Sequence, residues 1–382
     1  MTPDRRTLLA LFAIAFGLRL LYAAVVGTSP DINPNPSSFD YRVAQRIHDN
    51  LAWIGQPFTP SAPGYPLALA LVFRVLGVGL WRALIFNAAV GAAMTFFMYR
   101  IGEQRLGRNV GLFSALWLGL YVHHMHLASI VIRDTLVAGL FLWFVFIVAR
   151  PFHRMRNAVW AGVLYAALTF VEPMLLLLLP IVVVFLALYA TGHRILSLQY
   201  AFLFVSTVFI LNVPWTIRNY AVYGEPVVIA LEWSRYLPGA VRPDAAFAPD
   251  ARRADRRGAG LWHNAREFWR VVRSSDSPGD PARGVGPEPA WSLRHNAISL
   301  VNYGLLLPFA IAGAVIAVRR RRGVAAVLVG FVVSYFALRL FVGGGERARL
   351  PAEPLIILLA FYGLMEAWAW RRRGVESSSA EP

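Results

Sequence analysis

The chain has 382 residues, of which 57% are hydrophobic and 15% charged, and its formal net charge is +16. This composition is too apolar for a soluble globular protein. Cysteine is absent, which excludes disulfides, thiolate catalysis and cysteine-ligated metals. All 37 basic residues are arginine and most lie between apolar runs, so the charge indicates orientation in a membrane rather than nucleic-acid binding.

Repeated apolar runs of roughly 17 to 22 residues match the length that crosses ~30 Å of hydrocarbon. The sequence therefore predicts an all-α polytopic membrane protein. Ten spans are expected, at 7–26, 82–100, 110–127, 131–149, 157–171, 173–190, 199–217, 298–318, 324–342 and 354–371. The first is not expected to be a cleavable signal peptide, because it carries Arg19 and no convincing small-residue cleavage site follows it.

The topology depends on the segment 65–80, which is short and contains Arg74 near its middle. Arginine clusters lie outside the spans at 5–6, 100–108, 150–156, 319–322 and 371–373. If 65–80 lies in the membrane interface, all these clusters fall on one side; if it crosses, the later ones change sides. The positive-inside rule therefore favours ten spans with cytoplasmic N- and C-termini.

A single membrane domain is expected over residues 1–371, followed by a cytoplasmic tail at 372–382. Two long segments should lie on the outer side, the first outer loop at 27–81 and a second at 219–297. The second is rich in Arg, Asp, Pro and Gly and is predicted to be partly disordered, with a short helix from Leu261 to Arg273.

The first outer loop contains the sequence DYRVAQRIHDNLAWIG, whose apolar residues recur at helical spacing. The side chains expected on one face are Tyr41, Ala44, Ile47, His48 and Leu51. Charged and amide side chains occupy the opposite face. This pattern predicts an amphipathic helix that lies in the membrane interface.

Two aspartates of this loop are candidates for a general base. Asp40 begins the amphipathic helix, where an acid after the capping-box-like Ser37 also has an ordinary structural role. Asp31 lies in the stretch PDINPNP, where it could simply form a turn before proline. The residue pattern leaves both alternatives open for each aspartate.

Four arginines lie at the outer ends of spans, against the usual charge bias: Arg133, Arg218, Arg347 and Arg349. One such residue would be a snorkelling anchor. Four of them, with Asp134 and Glu346 nearby, suggest an anionic ligand, and phosphate is the anion that the arginine fork suits best.

Other ionisable residues near the membrane give weaker signals. Glu172 lies between two expected spans and either lines a cavity or sits at the outer surface. His123, His124 and His126 have the composition of a metal site, but no carboxylate partner follows at a firm spacing. An interfacial role is therefore favoured for these histidines, and no metal site is predicted.

Four stretches carry a resemblance to a known family: FDYRVAQRI with APGYPLALALVFRVLG, IVIRDTLVAGLFLWF, PWTIRNYAVYGEPVVI, and ERARLPAEPLIILLAFYGL. Together the chain resembles the GT-C superfamily of polyprenyl-phosphate-sugar glycosyltransferases. The branch it resembles contains the bacterial lipid A aminoarabinose transferase and is related to protein O-mannosyltransferases. The resemblance covers about residues 7–230 and 298–371, and PWTIRNY and RxRLPxEP are its more specific motifs. It implies a GT-C-type bundle of about ten transmembrane helices with interfacial helices in the first outer loop.

The resemblance also implies roles for particular residues. The catalytic carboxylates would be Asp40 or Asp31 in the first loop and Asp134 between the third and fourth spans. Many members of the family have an aspartate about three residues before the acid–tyrosine pair, a position that Ser37 occupies in this chain. The candidate substrate- and phosphate-binding residues are Arg133, Arg218, Arg347, Arg349, Tyr41 and Tyr65.

The function that the resemblance implies is inverting transfer of a hexose or pentose from a polyprenyl phosphate to a glycolipid, glycan or protein acceptor. It is expected at the outer, periplasmic face of a bacterial inner membrane, among membrane lipids, without nucleic acid, cofactor or divalent metal. One alternative is a lipid-linked saccharide ligase or polymerase. The other is a lipid or sugar transporter without chemistry, although the sequence lacks the internal repeat that many transporters have.

Overall fold

The computed structural model describes residues 3–27, 39–55, 62–150, 152, 154–189, 194–224, 227–229, 261–272, 293–320, 323–342 and 349–378. Within these ranges the regular structure consists of helices, and no strand occurs in them. The prediction of an all-α membrane protein is confirmed by this architecture. Four residues singled out in the sequence lie outside the described ranges, namely Asp31, Ser37, Glu346 and Arg347.

The described part of the chain forms fifteen α-helices. They are α1 (Pro3–Tyr22), α2 (Phe39–Asp49), α3 (Gly64–Leu76), α4 (Leu80–Arg105), α5 (Arg108–Leu120), α6 (Val122–Ala128), α7 (Asp134–Val148), α8 (Met155–Val171), α9 (Leu179–Tyr189), α10 (Arg194–Tyr223), α11 (Leu261–Phe268), α12 (Leu293–Ser299), α13 (Leu307–Arg319), α14 (Gly323–Val342) and α15 (Glu353–Ser378). Turns of π-helix follow α1 at Ala23–Gly27 and α12 at Leu300–Gly304. Turns of 3-10 helix lie at Leu51–Gly55 and Pro173–Leu178.

Six described segments are long and apolar enough to cross a membrane: Arg5–Val26, Leu80–Arg105, Arg194–Tyr223, Leu293–Arg319, Ala325–Val342 and Glu353–Arg372. The other four expected spans coincide with shorter helical segments, formed by α5 with α6, by α7, by α8, and by α9 with the 3-10 turn before it. The exact number of ten crossings stays a prediction.

The span expected over 110–127 is interrupted at Tyr121, where the backbone is extended between α5 and α6 (φ −72°, ψ 103°). At this point the buried Arg19 of α1 donates hydrogen bonds to the carbonyl oxygens of Leu118 (3.1 Å) and Gly119 (3.3 Å). The last carbonyls of a helix have no intrahelical partner. An arginine inside the first span therefore stabilises the end of α5.

The amphipathic helix expected in the first outer loop is present as α2. Its predicted apolar residues Tyr41, Ala44 and Ile47 are buried, and the Tyr41 ring packs edge-on against Phe73 of α3, with centroids 5.2 Å apart. Leu51, expected on the same face, is instead 54% exposed, because α2 ends before it and a 3-10 turn begins.

Helix α3 has 13 residues, which makes it about 20 Å long, shorter than the ~30 Å hydrocarbon core. This length agrees with the interfacial position expected for 65–80. A Cβ atom on Gly64 would lie only 2.6 Å from the carbonyl carbon of Phe170, in the last turn of α8. The glycine of the PGYP motif therefore allows α3 to pack directly onto the end of α8.

The helix expected from Leu261 is present as α11 and is shorter than predicted. It lies against the end of α14, where the Asn264 side chain donates a hydrogen bond to the Leu340 carbonyl oxygen (2.7 Å). The rings of Phe268 and Phe336 pack with centroids 5.0 Å apart. Part of the long second loop is therefore held against the bundle.

Helices α13 and α15 approach closely through two glycines. A Cβ atom on Gly313 would collide with the carbonyl group of Leu359, and one on Gly363 would collide with the carbonyl oxygen of Phe309. Small residues at such crossings permit the van der Waals contact that drives helix association in lipid. This contact fixes α15, and with it the Glu353 end of the helix, against α13.

We expect the substitution Gly313→Ala to destabilise the protein by about 1–3 kcal/mol, because the added methyl group must push two helix backbones apart. Thermal unfolding of the purified protein in detergent measures this change. Gly330→Ala is the matched control, since a Cβ atom at Gly330 meets no atom within 4 Å. Equal stability of the two variants would contradict the proposed close contact.

Candidate active site

A buried hydrogen-bond chain links three elements at the end of the bundle that carries α2; we call this the α2 end. The Tyr65 hydroxyl of α3 donates to the Asn87 side-chain oxygen of α4 (3.1 Å). The Asn87 side-chain nitrogen donates to the Ile130 carbonyl oxygen (2.8 Å). Tyr65 and Asn87 are both fully buried. The chain therefore positions the segment that leads into α7, whose first residue is Asp134.

Two of the candidate carboxylates, Asp40 and Asp134, lie around Tyr65. Burial raises the pKa of the Tyr65 hydroxyl, and the negative charges of Asp40 and Asp134 raise it further. Both aspartates are half-buried and stand in the first turn of their helices, α2 and α7. A helix N-terminus stabilises the ionised carboxylate. The structure therefore gathers two acidic residues and a buried tyrosine at the α2 end.

Next to Asp134, two arginines face a single carboxylate. The Arg133 Nε atom lies 3.4 Å from one oxygen of the buried Glu172. A terminal nitrogen of Arg339 lies 3.9 Å from the other oxygen and 2.9 Å from the Tyr335 hydroxyl. Glu172 therefore lies inside the protein rather than at its outer surface, with its charge compensated by arginines.

Arg218 lies near the end of α10 and binds the first outer loop. Its Nε atom donates to the Ile54 carbonyl oxygen (2.8 Å), and a terminal nitrogen donates to the Asn219 side chain (2.7 Å). The guanidinium also lies over the Trp215 ring, 4.8 Å from its centroid. The arginine of the PWTIRNY motif thus connects α10 to the 3-10 turn that follows α2.

The other polar residues of PWTIRNY bind the short segment 227–229. The indole of Trp215 donates to the Ile229 carbonyl oxygen (2.9 Å). The Asn219 side chain donates to the carbonyl oxygens of Val227 (2.9 Å) and Ile229 (3.0 Å). This motif therefore holds loop backbone against the end of α10.

Arg349 is fully buried and bound on several sides. Its Nε atom lies 2.8 Å from the Glu353 carboxylate, and one terminal nitrogen donates to the carbonyl oxygens of Phe268 and Arg270 (2.9 Å each). The guanidinium stacks 3.6 Å above the Tyr303 ring. Burial by itself would lower the pKa of Arg349, but the Glu353 carboxylate outweighs this effect and leaves the pKa above its ordinary value.

Two of the three histidines of α6 lie close to the same Glu353 carboxylate. The Nε2 atom of the buried His124 lies 3.4 Å from Glu353, and the Nδ1 atom of His123 lies 3.8 Å from it. His126 instead faces α1, with its Nδ1 atom 3.4 Å from the Tyr22 hydroxyl. Among the described residues, no group of three or more His, Cys, Asp or Glu side chains is arranged to hold a metal ion.

The candidate residues thus occupy several separate places at the α2 end. Asp40, Asp134 and Tyr65 lie together, and Arg133 is next to Asp134. Arg218 and Arg349 each bind protein groups elsewhere, and Tyr41 of α2 packs against Phe73 of α3. Asp31 and Arg347 lie outside the described residues. Roles in catalysis and phosphate binding stay predictions for all of these residues.

Sequence reasoning missed three residues of these clusters, Asn87, Arg339 and Glu353. Arg339 had a usable signal, because an arginine inside an expected span is a functional candidate by default. Glu353 stands in the ERARLPAEP stretch, four residues after the candidate Arg349. Asn87 had no such signal, since a single amide side chain in an apolar helix does not by itself indicate a functional site.

The architecture defines a polytopic helical membrane protein with polar clusters and interfacial helices at one end. Residues 59–217 match the model of the family described as dolichyl-phosphate-mannose-protein mannosyltransferase. No curated protein matches the chain. Among solved structures, the chain is similar to ArnT from Cupriavidus metallidurans bound to undecaprenyl phosphate, with a TM-score of 0.53 and 14% identity. The match covers 95% of this chain and 63% of the ArnT chain.

At this low identity the likeness to ArnT shows the fold, and the present chain spans less than two thirds of the ArnT chain. The family model adds a match in sequence that begins at residue 59, in the last part of the first outer loop, and continues into α10. The chain is therefore similar in sequence to this family over residues 59–217 and shares the fold of ArnT.

We expect Glu172→Gln to lower the free energy of unfolding by about 3 kcal/mol, because it leaves the buried Arg339 without its counter-charge. Thermal unfolding in detergent measures the effect. Asp49→Asn is the matched control: the Asp49 carboxylate lies 2.9 Å from His48 and its side chain is 63% exposed, so loss of this contact should cost less than about 1 kcal/mol.

A double variant separates charge from packing at this site. Adding Arg339→Met to Glu172→Gln removes both charges and should restore part of the lost stability. If the double variant is less stable than Glu172→Gln alone, the pairing of Glu172 with Arg339 is not the source of the effect.

Proposed function

We propose that this protein is a membrane glycosyltransferase that moves a sugar from a polyprenyl-phosphate donor to an acceptor at the outer face of a bacterial inner membrane. The observation that carries the proposal is the pair of carboxylates, Asp40 and Asp134, around Tyr65 at the end of a GT-C-type bundle. The family match over 59–217 includes Tyr65 and Asp134. ArnT, which has the same fold, was solved bound to undecaprenyl phosphate.

Asp40 acts as the general base in this proposal. It removes the proton from the acceptor nucleophile as the anomeric carbon of the donor becomes oxocarbenium-like, and the configuration is inverted. Its place in the first turn of α2, close enough to Tyr65 to raise the pKa of that hydroxyl, supports this role. Asp31 and Asp134 remain candidates for the same role.

The leaving group is a polyprenyl phosphate, which departs without an added acid when cations stabilise its charge. Arg133 supports this role, because its side chain is 23% exposed and stands next to Asp134. Arg218, Arg347 and Arg349 are the further candidates for phosphate binding. In this proposal no divalent metal or other cofactor takes part.

An apolar groove of about 360 Å³ is suited to the prenyl chain of the donor. It lies between α13, α14 and α15, and every residue that lines it is apolar, with Trp269 at the end near Arg349. Arg349 binds the backbone on both sides of Trp269 through the carbonyl oxygens of Phe268 and Arg270. A prenyl chain in this groove would therefore place its phosphate at the α2 end of the bundle.

The orientation follows from the arginine clusters. With both termini in the cytoplasm, the α2 end faces the periplasm. The acceptor is then a glycolipid, a glycan or a protein that is reached from that side. Membrane lipids surround the bundle, and nucleic acid has no part in the reaction.

We expect Asp40→Asn to lower the rate of sugar transfer by ~10²–10⁴-fold, because an amide cannot accept the acceptor's proton. The assay uses the purified protein in lipid nanodiscs with a panel of radiolabelled polyprenyl-phosphate sugars. Asp31→Asn and Asp134→Asn are measured in parallel to identify the base. Asp49→Asn is the matched control, since Asp49 is on the same helix and 63% exposed.

Near-normal turnover in Asp40→Asn would remove Asp40 from the role of base. If no monophosphate donor is turned over by the wild type while a pyrophosphate-linked oligosaccharide binds tightly, the protein is a lipid-linked saccharide ligase or polymerase instead. Uptake of a lipid-linked sugar without cleavage would favour a transporter.

A substitution that fills the apolar groove should weaken the binding of donors with a long prenyl chain and leave donors with a short one unaffected. We expect Ala314→Trp to raise the KM for a long polyprenyl-phosphate sugar by about tenfold, because the indole occupies space that the prenyl chain needs. A donor with a single isoprene unit should be unaffected. Ala312→Trp is the control, as Ala312 is exposed on the same helix and does not line the groove.

If Ala314→Trp leaves the KM of the long donor unchanged, the prenyl chain does not occupy this groove. A loss of turnover for both donors would mean that the substitution perturbs the active site rather than the groove.

A further inference from the structure

A second cavity, of about 280 Å³, lies between the ends of α1, α6 and α12. Its polar lining is basic and aromatic and includes Tyr22, His123, His126, Arg294, His295 and Tyr303. None of the aspartates of the proposed active site lines it, and neither does Tyr65. It is therefore a separate cavity, and its role has to be derived from its own residues.

The electrostatics of this cavity favour an anion. Arg294 supplies a permanent positive charge, and neutral histidines still offer ring N–H donors. No carboxylate is among the residues that line the cavity. Glu353 lies behind His123 at 3.8 Å, but it is fully buried and paired with Arg349 at 2.8 Å, so its charge is compensated.

The walls of the cavity are partly preorganised by aromatic contacts. The Tyr22 and His126 rings pack edge-on with centroids 6.2 Å apart, and the His123 ring stacks on Tyr121. Tyr121 and Tyr303 are fully buried or nearly so. Because these rings are held by their neighbours, the aromatic walls of the cavity need little reordering to bind a ligand.

The position of the cavity indicates that its ligand comes from the membrane. The adjoining surfaces of α1 and α12 expose large apolar side chains: Leu21 is 63% exposed, Val25 74% and Leu293 87%. Apolar residues also form part of the lining, namely Val26, Val122 and Ile298. An amphiphile whose tail lies against these helices could place its headgroup in the cavity without leaving the bilayer.

We propose that this cavity binds the phosphate headgroup of an anionic membrane lipid. Arginine and histidine N–H groups form charge-assisted hydrogen bonds with the phosphate oxygens, and the apolar residues contact the start of the acyl chains. This binding is independent of the proposed sugar transfer, because it uses none of the residues placed in that reaction.

The test measures the binding of short-chain lipids to the protein. Binding is detected by native mass spectrometry or by the shift in unfolding temperature. Dihexanoyl phosphatidylglycerol, which is anionic, should bind more tightly than zwitterionic dihexanoyl phosphatidylcholine. Arg294→Gln should weaken phosphatidylglycerol binding by about tenfold, since it removes a charge-assisted contact. Arg156→Gln is the matched control, because Arg156 is also exposed near a helix start and does not line the cavity.

A second variant tests the cavity without changing charge. Val122→Trp fills the space between α1, α6 and α12 and should reduce phosphatidylglycerol binding by a similar factor, while Arg156→Gln leaves it unchanged. Sugar transfer is measured separately, so failure of the transferase proposal does not affect this result.

Three outcomes would overturn the proposal. Equal binding of phosphatidylglycerol to the wild type and to both cavity variants would show that the lipid binds elsewhere. Inorganic phosphate that binds as tightly as the lipid would define an ion site rather than a lipid site. Displacement of the lipid by a short-chain prenyl phosphate would assign the cavity to the donor of the transfer reaction.

Discussion

The hydrogen-bond chain from Tyr65 through Asn87 to the Ile130 carbonyl oxygen is the constraint on which the rest of the proposed site depends. It joins an interfacial helix, a transmembrane helix and the segment that begins α7. A buried polar group without a partner costs on the order of 1–3 kcal/mol, so these three elements are held in one arrangement. That arrangement positions Asp134, at the start of α7, so that it and Asp40 of α2 both act electrostatically on Tyr65.

Charged residues at the α2 end are arranged as compensated groups rather than as isolated charges. Glu172 is placed between Arg133 and Arg339, and the fully buried Glu353 is paired with Arg349. Burying an ion is costly unless it is paired and hydrogen-bonded. The cost of removing an arginine from water explains why the arginines predicted to bind phosphate are found bound to protein groups. Arg349 has the most such partners.

Much of the fold was predictable because the length of an apolar run and the spacing of its apolar residues depend directly on which residues are buried. Apolar runs identified the six long apolar helices, and the period of 3.6 residues identified α2 and its buried face. The interruption at Tyr121 was not predictable, because Arg19 stabilises it from a helix about a hundred residues away. The site was only partly predictable for the same reason: Asp40 and Asp134 stand out by position and charge, whereas Asn87 and Arg339 gain their roles from partners on other helices.

Side chains of the PWTIRNY motif bind the backbone of two loops, which gives this sequence pattern a structural role. Trp215 and Asn219 bind the backbone of 227–229, and Arg218 binds the Ile54 carbonyl oxygen just after α2. These bonds tie both outer loops to α10 and hold α2 in place. A donor phosphate that bound Arg218 would compete with the Ile54 carbonyl oxygen for the guanidinium. Contact with the donor at this arginine would therefore be coupled to the position of the loop that carries Asp40.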